Sequence, residues 1–234
     1  MQTSIQKYIV KEVNGEEYAI PNPEWQKHIQ DLKFDYYLNH SGIPKTYWNL
    51  EFEDVGFGMN ERPTAVCNQY VDKVKYGSKR NLMLYGSGVT GKTTALTNIG
   101  KKALKEGLSV KYMKSSEILD ILQKSSGLVL NPEYTTMKEN LLKTKLLLID
   151  DLFDPERNLM WKSDSKSMII QEWYNFLSDF LDKGNNICFT TNIIKERIAN
   201  DYSNSLFNLV DTNFQTLEFK ESVRDKRKKM LGLV

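Results

Sequence analysis

The 234-residue sequence has few of the residues that build disulfide frameworks or zinc sites. Its cysteines, Cys67 and Cys188, lie far apart without CxxC spacing, and its histidines, His28 and His40, are isolated. A disulfide framework needs several cysteines at short spacings, and a structural zinc site needs about four clustered Cys or His ligands. The sequence therefore excludes a disulfide scaffold and predicts no zinc site.

The sequence also lacks a long hydrophobic run. The apolar stretch at 146–149 is far shorter than the roughly 20 residues that span a bilayer. Residues 1–10 have no apolar segment of the signal-peptide type. We therefore expect a cytoplasmic protein that makes no contact with a membrane. The formal net charge of +2 is too small to predict nucleic-acid binding by itself, and it does not exclude a basic surface.

The first 42 residues predict a small α+β extension. Residues 8–20 indicate a β-hairpin, because Asn14-Gly15 suits the positive φ angles of a tight turn between two strands. Residues 24–39 have the apolar periodicity of a helix. This periodicity is carried by Trp25, Ile29, Leu32 and Tyr36. Aromatic anchors on a small unit are typical of binding surfaces, so residues 1–42 are predicted to bind a partner.

Residues 43–78 are predicted to form a linker and a leading helix, and residues 79–234 an α/β core with a short basic tail. Apolar and amphipathic segments alternate in the core, which is typical of a parallel sheet covered by helices. Strands are predicted at 82–85, 108–113, 145–149, 186–191 and 216–219. Helices are predicted at 92–106, at 115–124 with Ser115 as its cap, and along an apolar face from Ile169 to Phe180.

A glycine-rich loop lies between the first core strand and the first core helix. It matches the pattern GxxxxGK[ST] with Gly86, Ser87, Gly88, Val89, Thr90, Gly91, Lys92 and Thr93. The glycines would let the backbone turn and direct its N–H groups at phosphate oxygens. Lys92 would neutralise phosphate charge, and the Thr93 hydroxyl would bind Mg²⁺. The loop predicts that ATP or ADP binds here together with Mg²⁺.

Polar side chains follow two later strands of the predicted sheet. Asp150 and Asp151 end an apolar strand, and Asn192 follows the next one. The carboxyl ends of parallel strands open into the ligand crevice of such folds. Asp150 would hold Mg²⁺, Asp151 would orient the attacking water, and Asn192 would contact that water or the γ-phosphate. This arrangement predicts ATP hydrolysis.

Together these motifs resemble AAA+ ATPases of the bacterial replicative helicase loader type (DnaC/DnaI), with the IstB transposition ATPases as close relatives. The resemblance rests on the loop up to Thr94, on the strand that ends in Asp150-Asp151 where most AAA+ proteins have Asp-Glu, and on the segments 190–192 and 221–224. It implies an AAA+ core with helices on both faces of the sheet. It also implies that no C-terminal lid domain follows.

The same resemblance implies roles for two arginines. Arg224 would approach the γ-phosphate, and Arg197 would be the finger that reaches the ATP of a neighbouring subunit. Family members usually carry two arginines along this part of the chain, whereas here Arg197 stands before the polar run at 200–204. Weak hydrolysis, or a finger supplied by another type of subunit, therefore stays open.

The resemblance implies three partners: a hexameric replicative helicase held by the N-terminal extension, single-stranded DNA on the core, and further copies of the chain. The extension lacks the cysteine cluster of zinc-containing loaders, and it could equally pack on the core. Stacking faces beside cations suit single-stranded DNA. The candidate contacts of this kind are Lys101, Lys102, Lys105, Tyr112 and Trp161.

Three other functions stay open at this point. An IstB-like ATPase would share the nucleotide site but act with a transposase. A nucleotide-gated DNA-binding protein would turn over little ATP. A small-molecule kinase would need an acceptor pocket and a mobile lid. The acidic pair and the basic tail favour a hydrolase over a kinase.

Overall fold

The computed structural model describes residues 5–126, 131–153 and 166–222. These residues fall into two compact units, one within Met1–His40 and the other within Ser41–Val234. Arg224, Trp161 and the basic tail lie outside the described residues. Within the described residues, no helix has the length and the apolar character needed to cross a membrane.

The first unit is a hairpin followed by one helix. Strands β1 (Tyr8–Val13) and β2 (Glu16–Pro21) pair antiparallel, and Asn14 and Gly15 have φ angles of 58° and 82°. Both residues therefore take the left-handed conformation that a type I′ turn requires, which confirms the predicted hairpin. Helix α1 (Pro23–His40) begins after Asn22, whose side-chain oxygen accepts a hydrogen bond from the N–H of Glu24 at 3.0 Å.

The second unit is built on a five-stranded parallel sheet with the strand order β4-β5-β6-β3-β7. Its strands are β3 (Asn81–Tyr85), β4 (Val110–Lys114), β5 (Leu146–Asp150), β6 (Asn186–Thr191) and β7 (Phe214–Glu218). Its helices are α2 (Glu61–Lys75), α3 (Lys92–Lys105), α4 (Ser115–Ser126), α5 (Pro132–Leu142), α6 (Lys166–Asp182), α7 (Lys195–Asp201) and α8 (Asn204–Asn213). This architecture confirms the predicted fold class.

Helices cover both faces of the sheet, because side chains of a strand point alternately to opposite faces. Leu148 packs against α3, where an added Cβ at Gly100 would meet its methyl group at 2.5 Å. Leu147 and Ile149 face the other way, into a core built with α4, α6 and α8. The largest fully buried side chains on that face are Trp173, Phe153, Phe176, Phe180 and Phe189.

The chain between α1 and α2 is an ordered connector with three short 3-10 turns, Lys45–Tyr47, Phe52–Asp54 and Gly58–Asn60. The indole N–H of Trp48 donates to the carbonyl of Ile43 at 2.9 Å. Helix α2 ends at Lys75, and Gly77 two residues later has a φ of 84°, the left-handed conformation predicted for a cap. The connector thus lacks long helices and strands but is held in place by its own hydrogen bonds.

Three helices were not predicted. Helix α5 has a local signal, because Asn131 caps it by accepting from the N–H of Glu133 at 3.0 Å, with Pro132 at the first helical position. Helix α8 has one too, because the hydroxyl of its cap Ser203 accepts from the N–H of Leu206 at 3.1 Å, whereas α7 has seven residues and no side-chain cap. Ser115 begins α4, as predicted, but its hydroxyl donates to the carbonyl of Asp151 at 2.9 Å.

The two cysteines are free thiols in the interior. Cys67 lies on α2 and Cys188 on β6, and both are fully buried. Burial raises the pKa of Cys188 to about 12. A thiol with such a pKa stays protonated at neutral pH, so Cys188 contributes packing and little reactivity.

Candidate nucleotide-binding site

The carboxyl ends of β3, β5 and β6 meet at one edge of the sheet. In the parallel register, Tyr85 lies beside Thr191, and Ile149 lies beside Phe189. The glycine-rich loop that follows β3 is therefore next to the chain that follows β5 and β6. This is the position where open α/β sheets bind their ligands.

Two glycines and one valine give the loop its shape. Gly86 has a φ of 145°, and an added Cβ there would collide with the carbonyl oxygen of Phe219. Gly91 has a φ of 90° at the start of α3. The third left-handed residue is Val89, with a φ of 64°, whereas an added Cβ at Gly88 would meet open space. The backbone therefore requires glycine at positions 86 and 91. At position 88, where a glycine was also predicted to be necessary, the structure shows no such requirement.

Lys92 places an ammonium group inside the loop. Its Nζ donates to the carbonyl oxygens of Gly86 at 2.8 Å and Ser87 at 2.7 Å. The hydroxyl of Thr90 donates to the same Ser87 carbonyl at 3.0 Å. The side chain of Lys92 is almost fully buried. These contacts hold the positive charge at the centre of the loop, where the loop N–H groups would also face a phosphate.

Asp150 is buried at the end of β5 and accepts hydrogen bonds from three hydroxyl groups. Its Oδ1 accepts from Thr93 at 3.0 Å and from Thr190 at 2.5 Å, and its Oδ2 accepts from Tyr112 at 2.8 Å. Burial and the adjacent Asp150 carboxylate raise the pKa of the Tyr112 hydroxyl, so it remains a donor. The three donors compensate for removing the carboxylate from water and fix its orientation.

Asp151 has an unusual backbone conformation, with a φ of 57°. Its N–H donates to the hydroxyl of Thr190 at 2.9 Å, and its carbonyl accepts from Ser115 at 2.9 Å. Positive φ angles are uncommon outside glycine and concentrate at functional sites, although aspartate tolerates them better than most residues. The two hydrogen bonds hold Asp151 in this conformation, in which the residue lines the cleft.

These residues surround a cleft of about 340 Å³. Small-molecule sites usually measure about 300–1,000 Å³. The cleft is lined by Tyr47, Gly88, Val89, Thr90, Gly91, Lys92, Thr93, Thr94, Asp151 and Asn192. The structure thus brings the loop, Asp151 and Asn192 together, with Asp150 bonded to Thr93 directly behind. Tyr47 comes from the connector, and no sequence motif marked it.

Arg197 does not line this cleft. It is exposed on α7, and its guanidinium forms an ion pair with Asp201 one turn later at 2.7 Å. Arg224, the second arginine implied by the family resemblance, lies outside the described residues. The structure therefore gives Arg197 no place in the cleft of its own chain.

Three described candidate DNA contacts bond to other groups of the chain itself. Lys101 is buried, and its ammonium donates to the carbonyls of Tyr47 at 3.1 Å and Trp48 at 3.0 Å, and to that of Leu50. Lys102 pairs with Asp72 at 3.1 Å. Tyr112 is buried and bonded to Asp150, so its ring is no stacking face. The expectation was wrong for Lys101 and Tyr112, because burial depends on packing that the local sequence does not show.

A family model described as IstB-like ATP binding protein matches residues 30–161. The chain belongs to this family. The match covers the connector, the phosphate-binding loop and the Asp150-Asp151 strand end. No sequence among curated proteins matches the chain significantly. The family assignment therefore supports ATP binding at this loop and confirms the predicted kinship with IstB-like ATPases.

Solved structures share the fold at low sequence identity. The chain is similar to AMPPCP-bound DnaA from Aquifex aeolicus, with a TM-score of 0.60 and 19% identity over 82% of this chain and 57% of DnaA. It is similar to DnaI, with a TM-score of 0.61 and 17% identity over 75% of this chain and 93% of DnaI.

The DnaC helicase loader gives a TM-score of 0.54 and 18% identity over 76% of this chain and 100% of DnaC. The chain spans little more than half the length of the two AMPPCP-bound DnaA structures that it matches. At these identities the likeness concerns the fold. This IstB-like protein therefore has the AAA+ P-loop fold that the sequence predicted.

Proposed function

We propose that the protein binds ATP with Mg²⁺ and hydrolyses it to ADP and phosphate. The observation that carries this proposal is the contact between Thr93 and Asp150 at 3.0 Å, beside the buried ammonium of Lys92. Magnesium prefers oxygen ligands and uses few protein groups when phosphates supply the others. One hydroxyl and one carboxylate at the mouth of a phosphate-binding loop fit that requirement.

The described residues contain no group of three or more His, Cys, Asp or Glu side chains that would bind a metal by themselves. This fits an ion held jointly by Thr93, Asp150 and the nucleotide. When bound, Mg²⁺ would neutralise charge on the phosphate oxygens. Asp150 would keep its orientation through the hydroxyls of Thr190 and Tyr112.

The remaining steps belong to side chains that line the cleft. Lys92 and the loop N–H groups would bind the β- and γ-phosphates and stabilise the charge that shifts between them. Asp151 would accept a hydrogen bond from the attacking water and orient it toward the γ-phosphate. Asn192 would hold the water or a γ-phosphate oxygen through its amide. Phosphoryl transfer depends mainly on such positioning, so small displacements of Asp151 would reduce turnover strongly.

We further propose that the protein is a helicase loader that assembles on single-stranded DNA and delivers a replicative helicase during DNA replication. Support comes from the shared fold with the DnaC helicase loader and with DnaA bound to AMPPCP and single-stranded DNA. The described candidate DNA contacts that remain are Lys105, exposed at the end of α3, and the partly exposed Lys102. An IstB-like ATPase that serves a transposase is the second candidate, and the family match favours it.

The proposed assembly is an ATP-dependent oligomer in which Arg197 reaches the ATP of a neighbouring subunit. Arg197 is exposed, and its ion pair with Asp201 joins positions i and i+4 of one helix. The Arg197 side chain is 55% exposed, whereas that of Asp201 is 32% exposed. A neighbour's phosphate carries a larger charge than Asp201 and would compete with it for the guanidinium.

The proposed helicase contact lies on α1. Leu32, Tyr36 and Tyr37 are each about half exposed or more on this helix. The rings of Tyr36 and Tyr37 meet edge to face at 5.6 Å, and Tyr36 lies 4.3 Å from the His40 ring. Trp25, the predicted anchor, is half-buried with the Lys7 ammonium over its ring. The exposed aromatic side of α1 is thus the better candidate anchor.

Capture of a purified replicative helicase by the immobilised chain in ATP and Mg²⁺ tests this function. We expect the wild-type chain to retain the helicase and Tyr36→Ala to weaken retention by about tenfold or more, as loss of an aromatic anchor does. Tyr76→Ala is the matched control, because Tyr76 is the more exposed tyrosine, at 87%, and lies in the other unit. Retention of a transposase instead of the helicase would support the second candidate.

A further inference from the structure

Asn60 is a fully buried amide that makes four hydrogen bonds beside the nucleotide cleft. It ends the last 3-10 turn of the connector, directly before α2. Its Nδ2 donates to the carbonyls of Thr90 at 3.2 Å and Glu221 at 2.8 Å. Its Oδ1 accepts from the N–H groups of Lys220 at 2.8 Å and Glu221 at 3.2 Å. An asparagine side chain can make about this number of hydrogen bonds, so Asn60 is saturated.

These four bonds join two segments that are distant in the sequence. Thr90 is 30 residues after Asn60 and belongs to the phosphate-binding loop, whereas Glu221 is 161 residues after Asn60 and follows β7. The Thr90 side chain bonds to the Ser87 carbonyl, which Lys92 also contacts. Asn60 therefore bonds to the loop without lining the cleft, and it ties the loop to the chain at 219–222.

Close packing reinforces this connection. The N–H of Phe219 donates to the carbonyl of Tyr85 at 2.8 Å, directly before the loop. An added Cβ at Gly86 would collide with the Phe219 carbonyl, and one at Gly58 would collide with the Glu221 carboxylate. The segment that follows β7 thus touches the loop and the connector without room for an extra methyl group. A change in the shape of the loop must be shared by this segment.

We infer that Asn60 is a positioning residue that couples the phosphate-binding loop to the segment 219–222. It holds the Thr90 carbonyl away from the phosphates and leaves the loop N–H groups directed at them. Nucleotide binding that orders the loop then also orders the backbone at Lys220 and Glu221 through the two acceptor bonds of Asn60. This inference rests on the proposed binding of ATP at the loop.

A second buried asparagine provides a matched control. Asn81 begins β3, at the end of the sheet opposite to the cleft, and it is almost fully buried. Its Nδ2 donates to the carbonyls of Lys79 at 3.2 Å and Asn213 at 3.1 Å, and its Oδ1 accepts from the N–H of Ile187 at 2.8 Å. The two residues share the same chemistry and burial, and only Asn60 contacts the loop.

Nucleotide titration of the full chain with Asn60→Ala and Asn81→Ala tests the inference. Both variants should lose stability, because buried backbone groups lose their partners. Asn60→Ala should raise the Kd for ATP with Mg²⁺ by about tenfold or more, whereas Asn81→Ala should leave it within about twofold. An unchanged Kd in Asn60→Ala, or an equal rise in both variants, would overturn the inference.

Hydrogen exchange on the wild-type chain tests the coupling without any substitution. The amides of Lys220 and Glu221 should exchange more slowly when ATP and Mg²⁺ are present, and unchanged exchange at saturating ATP would overturn the inference. Absence of ATP binding by the wild-type chain would instead overturn the proposed function. The two failures are therefore distinguishable.

Discussion

At the amino end of the parallel sheet, Asn81 and Asn186 donate their buried amides to loop carbonyls, whereas at the carboxyl end the buried polar groups include Lys92 and Asp150. Neutral amides satisfy backbone groups without bringing a charge into the interior. Buried charges are costly unless they are paired with other groups. The comparison teaches that the described strands close their amino-end loops with buried amides and place the buried charges of Lys92 and Asp150 at the edge where a ligand would compensate them.

Two lysines give the largest contrast between the ends. Lys92 donates to the loop carbonyls, and Lys145 donates to the carbonyl of Gly184 at 2.8 Å at the amino end. We expect Lys92→Ala to weaken ATP binding by about a hundredfold or more, because the phosphates lose a charge in a poorly solvated site. Lys145→Ala should leave the Kd within about twofold. Fluorescent-nucleotide titration measures the Kd of both variants. A similar loss of affinity in both would remove the distinction between the two ends of the sheet.

A smaller effect separates binding from chemistry at the carboxyl end. Asp151→Asn should slow ATP hydrolysis by about a hundredfold, because the amide orients water poorly and accepts no proton. The Kd for ATP should change little, since the loop and Lys92 remain. Phosphate release under single-turnover conditions measures the rate of hydrolysis, and fluorescent-nucleotide titration of the same variant is the control for affinity. If affinity falls as much as turnover, Asp151 acts in binding or folding instead.

The smallest expected effect concerns the strained residue of the loop. Val89 has a φ of 64° and is 67% exposed, so its side chain gains little from burial. Val89→Gly should stabilise the protein by about 1 kcal/mol, because relief of the strain exceeds the entropy that glycine loses on folding. Val89→Ala should gain less, because a Cβ remains at the left-handed position. Denaturant unfolding measures the free energy of unfolding of both variants. Destabilisation by Val89→Gly would contradict the assignment of strain to Val89.

The phosphate-binding loop and the strand ends were predictable because their signals are local. Gly86 and Gly91 occur at fixed spacing from Lys92, and apolar runs before Asp150 mark a buried parallel strand. Alternation of strands and helices then predicted the sheet. The register that places Thr190 beside Asp150 follows from parallel pairing, which a local pattern does not contain.

The errors arose where tertiary burial decides the role of a residue. Lys101 has the sequence context of a solvated helix face, yet the connector covers it. Tyr112 resembles a surface aromatic, but its strand lies beside β5 and brings its hydroxyl to Asp150. Asn60 carried no recognisable signal, because its partners are 30 and 161 residues away. Partners at such separations become visible only in the fold.

The buried ammonium of Lys101 has a consequence for how the chain can be divided. Burial lowers its pKa, and the nearby Glu51 partly offsets this shift. A fragment that begins at residue 79 would keep Lys101 but lose the carbonyls of Tyr47, Trp48 and Leu50 that accept from it. The backbone N–H of Tyr112 would also lose the Ser41 carbonyl that lies 2.7 Å away. The smallest fragment that keeps these contacts therefore begins at or before Ser41.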